Sequence, residues 1–466
     1  MAKFCKLLKK YITEQGVPVY QISKETGINR TLIQNVLSEK KKFPKGRLNA
    51  LLNSTYFTAE QIKNLCDAFF KEEYDEDKPA FFEYCNYCLS EKFTNDLQKN
   101  VSVNLNEYNS DCTFLNGKRN ILSAIYTIIN SSDNNIFVSD FDFDQTEINR
   151  IVYNACKDKK FKEFYHYTKY TDNEKDNVQI IFNSIAYAKE DCITYINDRK
   201  DFSLLFPEFI MCGDSTVMYD SKVENGIIIK NAELCDYIIQ MNEKVKLNAK
   251  TDVAIFHNAF EYMYHLDIIS DKKEYSNIIS FDNHICSMGV NKEIIDDIAT
   301  DQIKSTAQVF QQLEAHFDLL IEAPQESIDS MIISYEGLMD FVNTGKLYDF
   351  PNGLAKNLKP KHRAEILSAI LKICSNVFVS NPKYTTFDKI QLNIEACKNQ
   401  LLISYSDDSD DSELNLGTQV VFNSGDTDLI ESFTSYVQYV MLSEKTFTAE
   451  YSKRFIQKQI EILQAE

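Results

Sequence analysis

Apolar side chains recur every three to four residues through much of residues 1–70, and this spacing predicts a series of short amphipathic helices. Residues 3–15 predict the first helix and residues 19–26 the second. Gly27 is expected to end the second helix, because glycine adopts the left-handed conformation there without steric cost. Asn29 is a good N-cap for a third helix, which runs from Arg30 to about Ser38.

The third predicted helix has one apolar and one polar face. Its apolar stripe consists of Leu32, Ile33, Val36 and Leu37. Its opposite face carries Arg30, Thr31, Gln34 and Asn35. Pro44 opens a further helix that continues through Leu52, and Thr58 caps another, with Gln61 completing a capping box. The acidic stretch 72–79 then predicts a domain boundary.

Residues 80–130 predict more helices, and the periodicity changes after them. Strands are predicted at 135–141 and 178–187, with a helix at 145–156 between them. A hairpin or two consecutive strands are expected around Gly213 and Gly226, before a helix at 232–245. We therefore expect an α/β unit of about 120 residues.

The remaining residues predict a mixture of helices and strands. The segment 251–330 is expected to be mainly helical, with a strand near 275–281 and a long helix at 301–321. Gly345 ends one later helix and Pro360 opens the next. Two strand-like segments, 400–406 and 418–424, flank an acidic loop and predict a hairpin, and helices at 426–442 and 448–466 complete the chain.

These elements predict an α+β multidomain protein, in which an N-terminal all-α helix-turn-helix bundle is followed by a mixed α/β body. The expected divisions are a helix-turn-helix domain at 1–71, a helical connector and α/β domain at 80–250, a mainly helical segment at 251–330 and a C-terminal α+β domain at 331–466.

A glycine turn between two short helices, the second with a polar outer face, is the pattern of the helix-turn-helix motif. Residues 1–70 resemble the lambda-repressor/Cro-like family of bacterial regulators at Ile22, Ser23, Gly27, Ile28, Ile33 and Val36. The resemblance implies a DNA-binding head that works as a homodimer on two half-sites. The chain departs from the family at Val19, where members usually have a glutamine that contacts a phosphate. A protein-interaction module of the same shape is the alternative.

The charge distribution agrees with DNA binding by the head. Residues 1–70 contain ten Lys and two Arg against four Glu and one Asp, a net charge of +7, whereas the whole chain carries −19 and the remainder therefore −26. Acidic residues are repelled by phosphates, so contact with double-stranded DNA is expected only in the head. The residues predicted to bind DNA are Arg30, Thr31, Gln34, Asn35, Lys40, Lys41, Lys42, Lys45 and Arg47.

One constellation in the body predicts different chemistry. Residues 142–146 read DFDQT and residues 213–220 read GDSTVMYD, which together resemble the acidic motifs of haloacid-dehalogenase-like phosphatases. That resemblance implies Asp142 as nucleophile, Asp144 as general acid and a magnesium ion held by later acids. The other interpretation is a strand end that carries exposed acidic side chains.

Cys85 and Cys88 form a single CxxC pair, and apolar neighbours favour burial over zinc binding.

The sequence as a whole favours a cytoplasmic transcriptional regulator with an acidic sensing or interaction body. It contains no apolar run long enough to span a membrane, and its twelve cysteines fit a reducing compartment. Residues 336–354 and the basic helix after them are similar to the C-terminal halves of uncharacterised regulators from Gram-positive bacteria. No cofactor or metal is predicted, and the effector would be a small molecule or protein. The alternatives are the phosphatase and a phage-defence or toxin-system protein that regulates its own expression.

Overall fold

A computed structural model of the chain describes residues 3–73, 78–131, 135–196, 208–257, 278–285, 290, 292–300, 328–347, 356–384, 392–406 and 419–466. Helices and strands are both abundant, and the strands form two mixed sheets, so the α+β class is confirmed. Within these ranges, no helix is both long and apolar enough to cross a lipid bilayer.

The helices of the N-terminal region and of the first sheet are α1 (Lys3–Glu14), α2 (Val19–Thr26), α3 (Arg30–Leu37), α4 (Leu48–Leu52), α5 (Ala59–Glu73), α6 (Lys78–Cys88), α7 (Glu91–Leu97), α8 (Lys118–Asn130), α9 (Thr146–Lys157), α10 (Glu174–Lys189) and α11 (Ala232–Lys246). A short 3₁₀ helix, Lys45–Arg47, precedes α4. The later helices are α12 (Lys292–Ile298), α13 (Tyr335–Thr344), α14 (Pro360–Ile373), α15 (Thr427–Leu442) and α16 (Ala449–Ala465).

The strands before residue 250 are β1 (Cys112–Asn116), β2 (Asn135–Asp140), β3 (Phe161–Thr168), β4 (Thr194–Ile196), β5 (Glu208–Cys212), β6 (Ser215–Tyr219) and β7 (Asn225–Lys230). The strands after it are β8 (Val253–Phe256), β9 (Ile278–Asp282), β10 (Ile328–Ile333), β11 (Cys374–Val379), β12 (Leu392–Cys397), β13 (Gln400–Ser406) and β14 (Gln419–Ser424).

The chain forms two compact units. The discontinuous unit comprises Met1–Leu89, Phe256–Gly417 and Ser424–Glu466, and the central unit comprises Ser90–Ile255 and Thr418–Asn423. The N-terminal helices therefore belong to the same unit as the C-terminal helices. The four segments predicted from the sequence, 1–71, 80–250, 251–330 and 331–466, stay a prediction.

The first sheet has the strand order β1-β7-β6-β5-β2-β3-β4. Strands β2, β3 and β4 are parallel, whereas β5, β6, β7 and β1 continue from β2 as antiparallel neighbours. One face packs on α11 through an apolar cluster that includes Val138, Met211 and Ile238. Residues of the other face alternate with these along each strand, and Gly226 approaches Ile121 of α8 there.

The second sheet has the order β11-β10-β9-β12-β13-β14-β8. Strands β9, β10 and β11 are parallel, β12 is antiparallel to β9, and β13 is antiparallel to β12. Read from its other edge, the second order is β8-β14-β13-β12-β9-β10-β11, so each strand is numbered seven higher than its counterpart in the first sheet. The two sheets therefore repeat one topology, with β2 corresponding to β9, β3 to β10 and β5 to β12.

Many predicted elements are present, but two predictions are wrong. Residues 112–116, expected to be helical, form β1. The second error is the strand predicted at 178–187. These residues lie inside α10, whose N-cap is Asn173. All residues from Asn177 to Ala188 except Gln179 are buried, so this helix has no polar face to reveal its period. The helix predicted at 301–321 and most of the acidic loop after Ser406 lie outside the described residues.

Candidate nucleic-acid interface and buried polar site

Helices α2 and α3 are joined by a tight turn at Gly27. Gly27 has φ +67°, in the left-handed region, and ends α2 as predicted. The Asn29 side chain accepts a hydrogen bond of 2.8 Å from the backbone N–H of Thr31, which caps α3. Ile28 in the turn is 1% exposed, so the turn is held by an apolar anchor as well as by its caps.

The two faces predicted for α3 have different environments. Ile33 and Val36 are completely buried, whereas Leu32 and Leu37 are partly buried. Arg30, Thr31 and Gln34 are exposed and Asn35 is half-buried. The polar face of α3 is therefore largely presented to solvent, and the side chains of Arg30 and Gln34 make no hydrogen bond to any other part of the described chain.

The basic segment after α3 divides into exposed and engaged residues. Lys40, Lys41, Lys42 and Arg47 are exposed. Lys45 is partly buried, and its Nζ donates to Oε1 of Gln438 on α15 at 3.3 Å. The four exposed cations are therefore better placed for phosphates than Lys45, whose ammonium already lies against α15.

Glu25 holds the end of α2 to the loop between α4 and α5. Its carboxylate accepts hydrogen bonds from Ser54 Oγ at 2.7 Å, Thr55 Oγ1 at 2.6 Å and the Thr55 backbone N–H at 2.9 Å. Burial alone would raise the pKa of Glu25, but these three hydrogen bonds outweigh it and lower that pKa.

The predicted capping box of α5 is confirmed, since Thr58 N donates to Gln61 Oε1 and Gln61 N to Thr58 Oγ1.

The N-terminal helices pack on α15 and the turn that follows it. Asn49 is buried, and its Nδ2 donates to the carbonyl oxygens of Ser443 and Thr446 at 2.8 and 3.1 Å. The ring of Tyr439 stacks on Phe82 and meets Phe70 edge to face, with centroid distances of 4.6 and 4.7 Å. A buried amide and an aromatic cluster therefore fix these helices to the C-terminal part of the same unit.

The acidic motifs that suggested a phosphatase are divided between the two ends of the first sheet. Asp140 pairs with Phe209 where β2 ends, and Phe137 pairs with Cys212 nearer its beginning. Gly213 N then donates to the carbonyl of Ile136. Asp214 consequently lies at the beginning of β2, whereas Asp142 follows its end. Asp220 follows β6 at the same end of the sheet as Asp142, but its carboxylate accepts hydrogen bonds from the backbone N–H groups of Glu224 and Asn225.

A different set of polar residues meets where the parallel strands end. Ser139 on β2 pairs with His166 on β3, and Ser139 Oγ lies 3.0 Å from His166 Nδ1. The imidazole is completely buried between the rings of Phe141 and Phe143, at centroid distances of 4.3 and 4.7 Å. Burial lowers the pKa of His166 from 6.5 to about 3, so the ring is neutral, and its Nε2 has no hydrogen-bond partner.

Glu208 begins β5 in the same region and pairs across the ladder with Tyr219 on β6. The carboxyl is 4% exposed, and its Oε2 accepts a hydrogen bond from Nε2 of Gln145. Three buried polar atoms there have no partner: Glu208 Oε1, Gln145 Oε1 and the hydroxyl of Tyr219. Such atoms are rare in folded proteins, because each forfeits its hydration without a replacement.

Burial and neighbouring charges raise the pKa values of two carboxyls in this region. Burial, the charge of Asp142 and that of Asp140 raise the pKa of Glu208 to about 7, against hydrogen bonds from the side chains of Gln145 and Ser221. The pKa of Asp140 is also about 7, because burial and Asp142 outweigh the cation of Lys169. Asp142 and Asp144 are exposed on the loop that leads to Gln145.

Sequence reasoning marked Asp142 and Asp144 but missed His166, Glu208 and Tyr219. Their partners are remote in sequence: Ser139 is 27 residues from His166, and Gln145 is 63 residues from Glu208. Cys85 and Cys88 are buried, which confirms the packing prediction for that pair. In the parts of the chain that the structure describes, no group of three or more His, Cys, Asp or Glu is arranged to hold a metal ion.

Comparisons with known proteins leave the family of this chain open. No protein-family model matches it, and no curated protein matches it either. Among solved structures it is similar to a crystal structure of polyphosphate kinase from Porphyromonas gingivalis, with 8% sequence identity and a TM-score of 0.24. The match covers 75% of this chain and 56% of that chain, so this chain spans little more than half of the kinase's length. A TM-score this low supports no argument about fold or function.

Proposed function

We propose that the protein is a sequence-specific DNA-binding transcriptional regulator of a bacterial cytoplasm, with an acidic sensing or interaction body. In this proposal α2 and α3 form a helix-turn-helix, and α3 enters the major groove of double-stranded DNA. Two copies would bind two half-sites as a homodimer, because a single helix of this length contacts few base pairs.

The observation that carries this proposal is the contrast between the two faces of α3. Its apolar residues are anchored, with Ile33 and Val36 completely buried, while Arg30, Thr31 and Gln34 are directed to solvent from a capped helix. Arginine can bond guanine through two N–H groups, and glutamine can pair with adenine in the same manner. A rigid helix with such side chains on its outer face is suited to reading base edges.

The charge pattern supports the same assignment. Lys40, Lys41 and Lys42 follow α3 directly and are exposed, so they can neutralise phosphates on either side of the groove. The rest of the chain is strongly acidic and would be repelled by DNA. DNA contact is therefore expected to be confined to one surface of the N-terminal helices.

The packing of α15 supports a regulatory body. This helix contacts the N-terminal helices through α4 and α6, and it also packs on β9, β12 and β13. A displacement of α15 would therefore be transmitted to the helices proposed to hold DNA. Nothing in this contact identifies the effector, whether a small molecule or a protein.

The test uses point variants of the full chain, because removing residues 1–70 would also strip packing from Tyr439. Fragments of the source genome selected by the wild-type protein supply a cognate duplex, and fluorescence anisotropy measures affinity at several salt concentrations. Gln34→Ala is expected to reduce discrimination between cognate and scrambled duplexes by roughly 1–3 kcal/mol. Lys41→Ala is expected to weaken both duplexes equally and to reduce the salt slope by about 1.

Lys9→Ala is the matched control, because Lys9 is an exposed lysine on α1 that is not among the residues predicted to bind DNA. It should leave affinity and salt slope unchanged. A wild-type protein that selects no fragment, or an equal loss in Lys9→Ala and Lys41→Ala, would refute the assignment of α3 and the segment after it.

A further inference from the structure

The unpartnered polar atoms beside Glu208 lie at one place in the first sheet. Glu208 and Tyr219 are directly opposite each other on β5 and β6, so their side chains leave the same face of the sheet. Gln145 reaches them from the loop before α9 and donates to the Glu208 carboxylate. Glu208 Oε1, Gln145 Oε1 and the Tyr219 oxygen thus leave three acceptor positions without a donor.

The same position in the second sheet is apolar, so the fold does not require a carboxyl there. The two sheets can be aligned by matching Asp140, the last residue of β2, with Asp282, the last residue of β9. Asp140 pairs with Phe209 on β5, next to Glu208, and Phe281 pairs with Ile394 on β12. Leu392, 3% exposed, consequently takes the place of Glu208, and it pairs with Tyr405 as Glu208 pairs with Tyr219.

Negative charge is graded towards this position. Asp142 and Asp144 are exposed on the loop after β2, and Glu208 is buried. Lys169 is the cation that offsets Asp140 and Asp142. An excess of carboxyls with unfilled acceptor positions favours a positively charged ligand that can donate several hydrogen bonds.

We propose that Glu208, Gln145 and Tyr219 bind the primary ammonium group of a small organic amine. An ammonium group offers three N–H donors, which match the three unpartnered acceptors. The exposed Asp142 and Asp144 attract the cation and hold a second ammonium when the ligand is a diamine. Gln145 is half-buried and lies between the exposed loop and the buried carboxyl of Glu208, so a ligand would enter from its side.

As the effector site of a regulator this inference rests on the proposed function, but amine binding itself is measured without DNA. Purified full-length protein is titrated with methylammonium and with 1,4-diaminobutane, and binding is followed by thermal shift and calorimetry. Tetramethylammonium at equal charge is the control, because it carries no N–H donor. We expect both amines to raise the melting temperature, the diamine to bind roughly tenfold more tightly, and tetramethylammonium to have no effect.

Two substitutions locate the site. Glu208→Gln keeps the shape of the side chain and is expected to weaken diamine binding at least roughly tenfold, since it removes the buried charge. Tyr219→Phe removes one acceptor and should weaken binding by a smaller factor. Glu233→Gln, on the exposed surface of α11, is the matched control and should bind as the wild type does.

Circular dichroism of each variant separates loss of binding from loss of folding, and Tyr219→Phe remains informative should Glu208→Gln fail to fold. Equal stabilisation by tetramethylammonium would show that only general charge screening is involved and would overturn the site. No response of the wild type to either amine would overturn it as well. Specific DNA binding in the same preparation would then show that the proposed function survives the failure of this inference.

Discussion

The two sheets share one strand order but differ in what they bury where their parallel strands end. The first sheet places Ser139 and His166 side by side there, with Glu208 nearby. With the sheets aligned at Asp140 and Asp282, Phe281 and Ile332 of the second sheet take the places of Ser139 and His166, and they pair in the same way. Both are buried, Ile332 completely. A pair of apolar side chains thus satisfies this topology, and the polar residues of the first sheet call for another explanation.

The largest effect is expected when the second sheet is made to resemble the first. Ile332→His buries an imidazole beside Phe281, which offers no hydrogen bond, and it also removes aliphatic packing. We expect a loss of roughly 3–5 kcal/mol in the free energy of unfolding. Urea denaturation measures it, with Ile332→Val as the control, expected to cost only about 1 kcal/mol. If Ile332→His lost no more unfolding free energy than Ile332→Val, the site of Ile332 would already accommodate a polar side chain, as the site of His166 does.

The second expectation concerns Glu208 and pH. Its ordinary pKa of 4.5 rises to about 7 on folding, so the folded protein binds this proton more tightly than the unfolded chain. The resulting stability is fully present below pH 4.5 and is lost as pH rises through 7. Glu208→Gln does not titrate, so its advantage over the wild type should grow across this window to roughly 2–3 kcal/mol at pH 8.

Urea denaturation at pH 4.5 and pH 8 tests this expectation for Glu208. Asp140, Asp142 and Lys169 face the same region and remain in both proteins, so the comparison isolates one carboxyl. Leu392→Gln provides the counterpart in the second sheet and should be destabilised at both pH values, because it buries an amide in an apolar position. A pH-independent difference between Glu208→Gln and the wild type would contradict the environment assigned to Glu208.

The smallest effect is expected when the first sheet is made to resemble the second. The double variant Ser139→Ala, His166→Leu removes both partners of one buried hydrogen bond. Replacing both by apolar groups is often nearly neutral, so unfolding at pH 8 should change by no more than about 1 kcal/mol. A much larger loss would show that the polar pair stabilises the fold.

The same double variant has a pH signature. The pKa of His166 falls from 6.5 to about 3 on folding, so the unfolded chain binds the proton first. Wild-type stability from this group is present above pH 6.5 and declines as pH falls towards 3. The free energy of unfolding of the double variant, relative to that of the wild type, should therefore increase as pH falls from 6.5 to 4. For Glu208→Gln the same difference increases as pH rises.

Local signals allowed the helices around Gly27 to be predicted almost to the residue. The side chains of Asn29 and Thr58 accept hydrogen bonds from backbone N–H groups two and three residues away, so these helix caps can be predicted from a few neighbouring residues. The strand predicted at 178–187 failed for the opposite reason. A helix buried on all sides shows the same continuous apolar run as a buried strand, and only its tertiary surroundings decide between them.

The candidate sites differ in the same way. The outer face of α3 depends on spacing within one helix, and the exposure of Arg30, Thr31 and Gln34 follows from it. The grouping of Glu208 with Gln145 and Tyr219 depends on which strands become neighbours. The order β2-β5-β6 is set by pairing between strands that are far apart in sequence, so no short segment of the sequence contains all residues of this site. The repetition of the strand order escaped sequence reasoning as well, because the two copies bury different side chains at corresponding positions.

The hydrogen bonds of Asn49 to the turn after α15 have a consequence for synthesis of the chain. Asn49 and Ser443 are separated by 394 residues, so the ribosome makes the acceptor long after the donor. At about 5–20 residues per second, roughly 20–80 seconds separate the two. Until then Phe70 and Phe82 lack the ring of Tyr439, and a truncated product keeps that apolar surface open. Synthesis of α15 thus closes this surface, and chains that stop before Tyr439 should be more readily bound by chaperones and cleaved by proteases.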